Sequence, residues 1–324
     1  MQIKYILRFS RAFIAKLTAA VLVLLLSILI MPYYTDGDQG IYRKVYEALP
    51  NLDLTDGFAY YTWSLTSIEI VHFFLSWVAS RFVDKDIFIA FSNAILAYVT
   101  MSLFQKWRVS VIIAFLLLLT NFYFLVLYFA AERLKFGFIF LACSMIYIDQ
   151  VKRMFGFATL ALISHVQVLI VYVSILFNVF VKQILKLFRT WKVSKSMLFF
   201  VPFIFIPLLL VGNQIVDKTI PYYNKRDFMD LTEMFRILGL LLLTLWYSKK
   251  KNETIIMFIP IVIAVFLVGG DRVNLIGYFA FLYYGLQFRG GWNFGVLATS
   301  AYFAYSSIGF LANVFQHGNG FFTG

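Results

Sequence analysis

Glu69, His72, Arg133, His165 and Arg272 each border or interrupt an apolar run. An ionisable side chain in such a place is costly and marks function by default. Glu69 stands three residues before His72, so one helical turn puts both on one face. A carboxylate desolvated on an interfacial helix has its pKa raised toward working pH, which makes Glu69 the first candidate for a general base. His165, in Leu-Ile-Ser-His-Val, is the alternative: it can donate to a phosphate or carry a proton near neutral pH.

Arg133, in Ala-Ala-Glu-Arg-Leu-Lys, and Arg272, in Gly-Gly-Asp-Arg, each open an apolar run. A guanidinium fork grips phosphate oxygens bidentately and stays charged at any relevant pH. A helix N-terminus beside each fork adds its dipole and free N–H groups, so two such sites suit a diphosphate at a membrane surface. The competing reading pairs Arg133 with Glu132 and Arg272 with Asp271, or sends both arginines to lipid headgroups.

Asp36-Gly-Asp38 has the form of a metal-binding pair and equally of a turn ending the first apolar run. Paired-histidine and His-Cys spacings are missing from the sequence, so no metal site is expected. The chain has no Walker loop and no Gly-x-Ser-x-Gly elbow, and Gly269-Gly270 falls short of a nucleotide fingerprint. No cofactor is expected. Tyr33, Tyr34, Tyr60, Tyr61 and Trp63 read as interfacial anchors.

The elements that must position these residues follow from composition. Of 324 residues, 62% are hydrophobic and 14% charged. Soluble domains carry about 45–50% apolar and about 25% charged residues, so a water-soluble fold is excluded. Disorder is excluded by the same apolar load, and a β-barrel by continuous rather than alternating apolar runs. The net charge of +12 is spread in short clusters between those runs, which encodes topology rather than nucleic-acid binding. A single Cys143 excludes an intrachain disulfide. Arg8, Arg11 and Lys16 ahead of the first run read as an uncleaved signal anchor with a cytoplasmic N-terminus.

The expected class is therefore all-α: one polytopic membrane domain over 1–324, with about eleven spans. These are placed at 13–34, 87–104, 109–130, 134–148, 154–164, 166–181, 197–212, 237–248, 254–268, 273–288 and 293–314. Putting the basic clusters inside leaves 35–86 and 213–236 as outer loops. Residues 36–86 hold half of the 16 acidic residues. Reading 58–83 as a span would invert every later loop and expose the lysines of 182–195 outside. That segment is expected instead as an amphipathic helix on the outer surface. The 154–164 run is too short to span alone and is expected either to begin earlier or to line a thinned or water-filled region.

Taken in order, Asp36-Gly-Asp38-x-x-x-Tyr42, Glu69, Arg133, Ser164-His165 and Arg272 resemble Wzy-type O-antigen polymerases and the related EpsG-type exopolysaccharide polymerases. Arg133-Leu134 stands where many relatives carry Arg-Gln, so the carry-over stops at Arg133. The resemblance implies a metal-independent, inverting glycosyltransferase of GT-C-like architecture, multi-pass in a bacterial inner membrane, with its active site facing the periplasm. Its donor would be a growing glycan on undecaprenyl diphosphate and its acceptor an undecaprenyl-diphosphate-linked repeat unit, in a lipid environment. A flippase and a chain-length regulator are the implied partners, and nucleic acid is not. Glu69 or His165 would be catalytic, and Arg133, Arg272, Asp36, Asp38 and Tyr42 would bind substrate. Two other readings stand beside it: an O-antigen ligase or another lipid-donor glycosyltransferase, and a lipid-linked oligosaccharide flippase or transporter.

Overall fold

The computed structural model describes residues 2–190 and 231–322, with some side chains, those of Asp271 and Arg272 among them, outside that description. The expected span 197–212 and most of the second outer loop lie outside the described residues. All regular structure described is helical, as the unbroken apolar runs require. In chain order the helices are α1 (Gln2–Ile30), α2 (Asp38–Ala48), α3 (Leu54–Leu65), α4 (Ile70–Ala79) and α5 (Lys85–Lys106). Then follow α6 (Val111–Thr120), α7 (Phe122–Leu125), α8 (Glu132–Ile146), α9 (Val151–Ser164) and α10 (Val168–Thr190). From residue 231 onward come α11 (Leu231–Tyr247), α12 (Lys251–Val268), α13 (Gly270–Gln287) and α14 (Phe294–His317).

These elements group into two compact units. One comprises Met1–His165 with Arg289–Gly324, the other Val166–Phe288. Three described helices are long and apolar enough to cross a bilayer: Arg11–Tyr33, Lys85–Lys106 and Arg289–His317. A fourth span arises if Val111–Thr120 and Phe122–Ala130 count as one, bent by 56°. The chain is thus a helical membrane protein by length and apolarity of its helices.

The bend has a local cause. Asn121 leaves the helical region, and its side chain accepts from the Tyr123 N–H at 3.1 Å, so it ends α6 and caps α7 together. Residues Val126–Ala130 then form a π-turn, closed by Ala131 N–H on the Val126 carbonyl at 2.8 Å. π-turns recur at functional sites. This one delivers the chain to Glu132 and Arg133.

The segment 58–83 is two helices, not the single amphipathic one expected. Asp53 caps α3 by accepting from the Asp56 N–H at 2.8 Å. Thr66 then enters the left-handed region at φ 47°, which breaks the run before α4. Tyr42, Val45, Leu49, Tyr61, Leu65 and Phe73 pack α2, α3 and α4 into one apolar cluster. Helix α9 begins at Val151, ahead of the apolar run as anticipated, and Lys182 and Lys186 fall within α10 rather than in a loop.

In the first unit α1 lies along α5, and α8 packs on α5 and α9. The last helix, α14, rests on α6 and α7, where Ser307 Oγ donates to the Thr120 carbonyl at 2.7 Å, at the break in the bent pair. Gly318 ends α14 at φ 67°, and its carbonyl accepts from the N–H groups of Thr35 and Asp36 at 3.0 and 2.9 Å. That ties the end of the chain to the turn before α2.

Candidate functional site

Residues from α2, α4, α8 and the end of α9 meet inside the first unit around one carboxylate. Glu69 is the residue before α4; its carbonyl starts the helix by accepting from Phe73 N–H at 2.9 Å. Its side chain does not cap α4 and turns inward, 3% exposed. Oε2 accepts from Arg133 Nη1 at 2.8 Å, and Oε1 is held by His165 Nδ1. Arg133 Nε donates to the Tyr42 hydroxyl at 2.9 Å, and the guanidinium stands 5.6 Å from that ring's centre. Glu69, Arg133, His165 and Tyr42, singled out separately in the sequence, are thus one connected group.

The electrostatics differ from expectation at Glu69. Burial alone would raise its carboxyl, but His165 and Arg133 outweigh burial and hold it well below the usual carboxylate range. A carboxylate so stabilised is a poor base, which corrects the expected raised pKa. Burial pushes the Tyr42 hydroxyl up to about 12 against the pull of Arg133, so it is a neutral phenol. Tyr61 is raised as well, also chiefly by burial.

Behind this group lies a second carboxylate that spacing alone did not reveal. Glu132 does not pair with Arg133, as the competing reading had it. Its Oε1 accepts from Lys85 Nζ at 2.6 Å, and Lys85 also donates to Gln39 Oε1. Gln39 Nε2 donates in turn to the Phe129 carbonyl, one of those in the π-turn. His72 does lie close to Glu69 in the fold, yet it bonds elsewhere. Its Nδ1 meets the Tyr61 hydroxyl at 2.9 Å, and its Nε2 lies 3.9 Å from Glu132 Oε2. Burial lowers His72 to about 4, so it is neutral at neutral pH. The space between Tyr42, Tyr61, His72, Lys85 and Glu132 amounts to about 10 Å³. That is room for one water, not for a sugar.

Deeper still, Lys135 Nζ donates to Asn93 Oδ1 at 2.6 Å, and Asn93 Nδ2 to Ser27 Oγ at 3.0 Å. Lys85, Lys135, Gln39 and Asn93 were not singled out from the sequence. The one available signal was a lysine and a glutamate a turn apart inside an apolar run, Glu132 and Lys135.

The remaining candidates fare differently. Asp36 and Asp38 are exposed, at the turn and first residue of α2, and Asp36 bonds through its N–H to Gly318. Only Tyr42 of that motif enters the cluster. Among the described residues, no group of three or more His, Cys, Asp or Glu side chains could hold a metal ion. Arg272 belongs to the second unit, and its side chain lies outside the described residues. The helix N-terminus beside it does not offer the free N–H groups expected, since Gly270 N–H is already bonded to Glu233 Oε2 at 2.6 Å. At Arg133 the first turn of α8 carries Glu132, whose carboxylate turns to Lys85 and does not cap the helix.

Arg133 has five N–H donors, of which Nε and Nη1 each make one bond. Its side chain is 12% exposed, and Nη2 donates to no described residue. Chemically, the group offers a histidine oriented by a carboxylate, and an arginine fixed by the same carboxylate with donors to spare. No family model, curated protein or solved structure matches the chain.

Proposed function

We propose that the chain is a polysaccharide polymerase that transfers a growing glycan from undecaprenyl diphosphate to an undecaprenyl-diphosphate-linked repeat unit. The observation that carries this reading is the double hold of Glu69, with one oxygen on His165 and the other on Arg133. Glycosyl transfer from a diphosphate needs a base for the acceptor hydroxyl and positive charge at the leaving group. A carboxylate that orients both supplies that pair in one place.

His165 takes the role of base, its ring oriented by the Glu69 carboxylate. Glu69 fixes the imidazole through Nδ1 and stabilises the imidazolium that forms, as the buried carboxylate does in a hydrolase triad. The acceptor oxygen attacks the anomeric carbon of the donor, and its proton passes to His165. The bond from that carbon to the diphosphate breaks with its electron pair on the diphosphate, and configuration inverts. Arg133 meets the developing charge with Nη2, while Tyr42, a neutral phenol accepting from Nε, fixes the plane of the fork. The activated bond comes with the donor, so the scheme calls on no cofactor.

The setting we infer is a bacterial inner membrane with the site on its periplasmic side. A GT-C-like arrangement of about eleven spans would be completed by the shorter helices. A flippase would supply repeat units, and a chain-length regulator would act on the product. The test is the lipid-linked glycan pool of cells lacking the protein. Accumulated single repeats identify a polymerase, whereas accumulated lipid-linked polymer identifies a ligase.

A further inference from the structure

Lys135 is fully buried in α8, inside the first unit. The buried charged groups around it already pair off without it: Arg133 with Glu69, and Lys85 with Glu132. A third ammonium here would have no carboxylate of its own. It would also have three N–H donors and one described acceptor, Asn93 Oδ1. The nearest aromatic face, Phe136, is 5.8 Å away, at the far limit of a cation–π contact. Burying an ion so poorly compensated costs several kcal/mol, and amines so placed lose the proton instead.

The hydrogen-bond chain beyond it makes no demand for charge. Ser27 Oγ donates to the Val23 carbonyl at 2.7 Å, so its oxygen is left to accept from Asn93 Nδ2. Asn93 therefore turns its own oxygen to Lys135 and needs only one N–H there. A neutral amine provides it as well as an ammonium does. The charged groups acting on the amine are Glu132 on its own helix and Lys85 on α5. His72 on α4 feels it in turn. From α9 the residues buried at that helix's surface are Ala158, Ala161 and Ser164, none of them charged.

We propose that Lys135 is a proton-binding site in the interior of the first unit: a neutral amine in the folded protein that accepts one proton and, once loaded, competes with Lys85 for Glu132. The inference is independent of the glycosyl-transfer reading, because it follows from burial and charge pairing alone. Loading the amine places a second cation on a carboxylate that Lys85 now holds at 2.6 Å. The Lys85 contact joins α5 to α8, so a proton at Lys135 loosens the support directly behind Arg133.

The test is the pH dependence of unfolding, compared between wild type and Lys135→Met in lipid nanodiscs or mixed micelles. A lysine neutral when folded and charged when unfolded takes up a proton on unfolding. Wild-type stability then rises with pH relative to the variant, by up to tenfold in the unfolding equilibrium per pH unit between about pH 8 and the unfolded lysine pKa of about 10.4. A wild-type-to-variant difference that stays constant over that range means Lys135 is charged in both states, and overturns the proposal. Where Lys135→Met fails to fold, 15N-lysine spectra of the wild-type protein decide. One side-chain amine of neutral type at pH 8.5, absent from Lys135→Arg, supports the site, and ammonium signals alone refute it.

Discussion

Glu69 and Arg133, 64 positions apart, are joined at 2.8 Å, and the same carboxylate holds His165 with its other oxygen. The relationship assigns roles that neither residue has by itself. A carboxylate held by the Arg133 guanidinium on one oxygen and by His165 on the other is too stabilised to take a proton from a sugar hydroxyl, so it orients rather than reacts. An arginine held by Nε and Nη1 cannot swing to a lipid headgroup, so its other nitrogen points to a fixed place.

Replacing Glu69 by Gln keeps the shape of the acceptor and removes its charge. Turnover should fall by a factor on the order of 10²–10⁴, the range set by losing an orienting carboxylate behind a histidine. Adding His165→Ala should cost little more, because residues acting as one unit are not additive. Single-turnover rates with lipid-linked repeats would show this. Independent, multiplicative losses would mean the two do not act together.

Arg133→Lys preserves the charge and loses the planar fork. One charge-assisted hydrogen bond contributes about 1.5–3 kcal/mol, so polymerisation should slow roughly tenfold to a hundredfold at matched membrane abundance. A wild-type rate would remove Arg133 from the leaving-group site.

The low-lying Glu69 carboxyl also sets an acid limit on stability. Its ionised form, with a pKa below the unfolded value of about 4.3, stabilises the fold above that pH. That contribution disappears as pH falls toward the folded value. Wild type should therefore lose stability relative to Glu69→Gln between about pH 5 and 3, as read by denaturation midpoints. Parallel curves for the two would contradict the assignment.

Much of this cluster was legible in the sequence, and the unread part has a physical explanation. Glu69, Arg133, His165 and Tyr42 were picked out because ionisable or aromatic groups beside apolar runs are conspicuous. Lys85 was not, since a lysine beside Asp84 and Asp86 looks like part of a solvated loop. Its partners Gln39 and Glu132 lie 46 and 47 positions away, a distance no local pattern encodes. The helices themselves followed from apolar length. Their breaks did not, because neither Thr66, which turns left-handed without being glycine, nor Asn121 at the kink carries a mark that sets it apart from other polar residues in those runs.

The Lys85–Glu132 pair provides a test of the fold around the site. Removing either partner alone, by Lys85→Met or Glu132→Gln, strands a buried charge or leaves it short of its partner. Loss of a partner from a buried pair costs about 3–5 kcal/mol. The double variant should recover part of that loss, giving a coupling energy well above the roughly 0.5 kcal/mol expected of independent sites. Thermal stability of the purified variants measures it. Strict additivity would mean the pair contributes nothing as a pair.

The most direct test uses the purified protein in nanodiscs, supplied with undecaprenyl-diphosphate-linked repeat units and no nucleotide or metal. Product length and released undecaprenyl diphosphate are followed together. The account predicts that wild type makes polymer and releases one undecaprenyl diphosphate per bond formed, and that His165→Ala, folded to the same extent, does neither. Polymer formed by His165→Ala at the wild-type rate would contradict the assignment of the base. A folded wild-type protein that neither extends the glycan nor releases the diphosphate would contradict the proposed reaction itself.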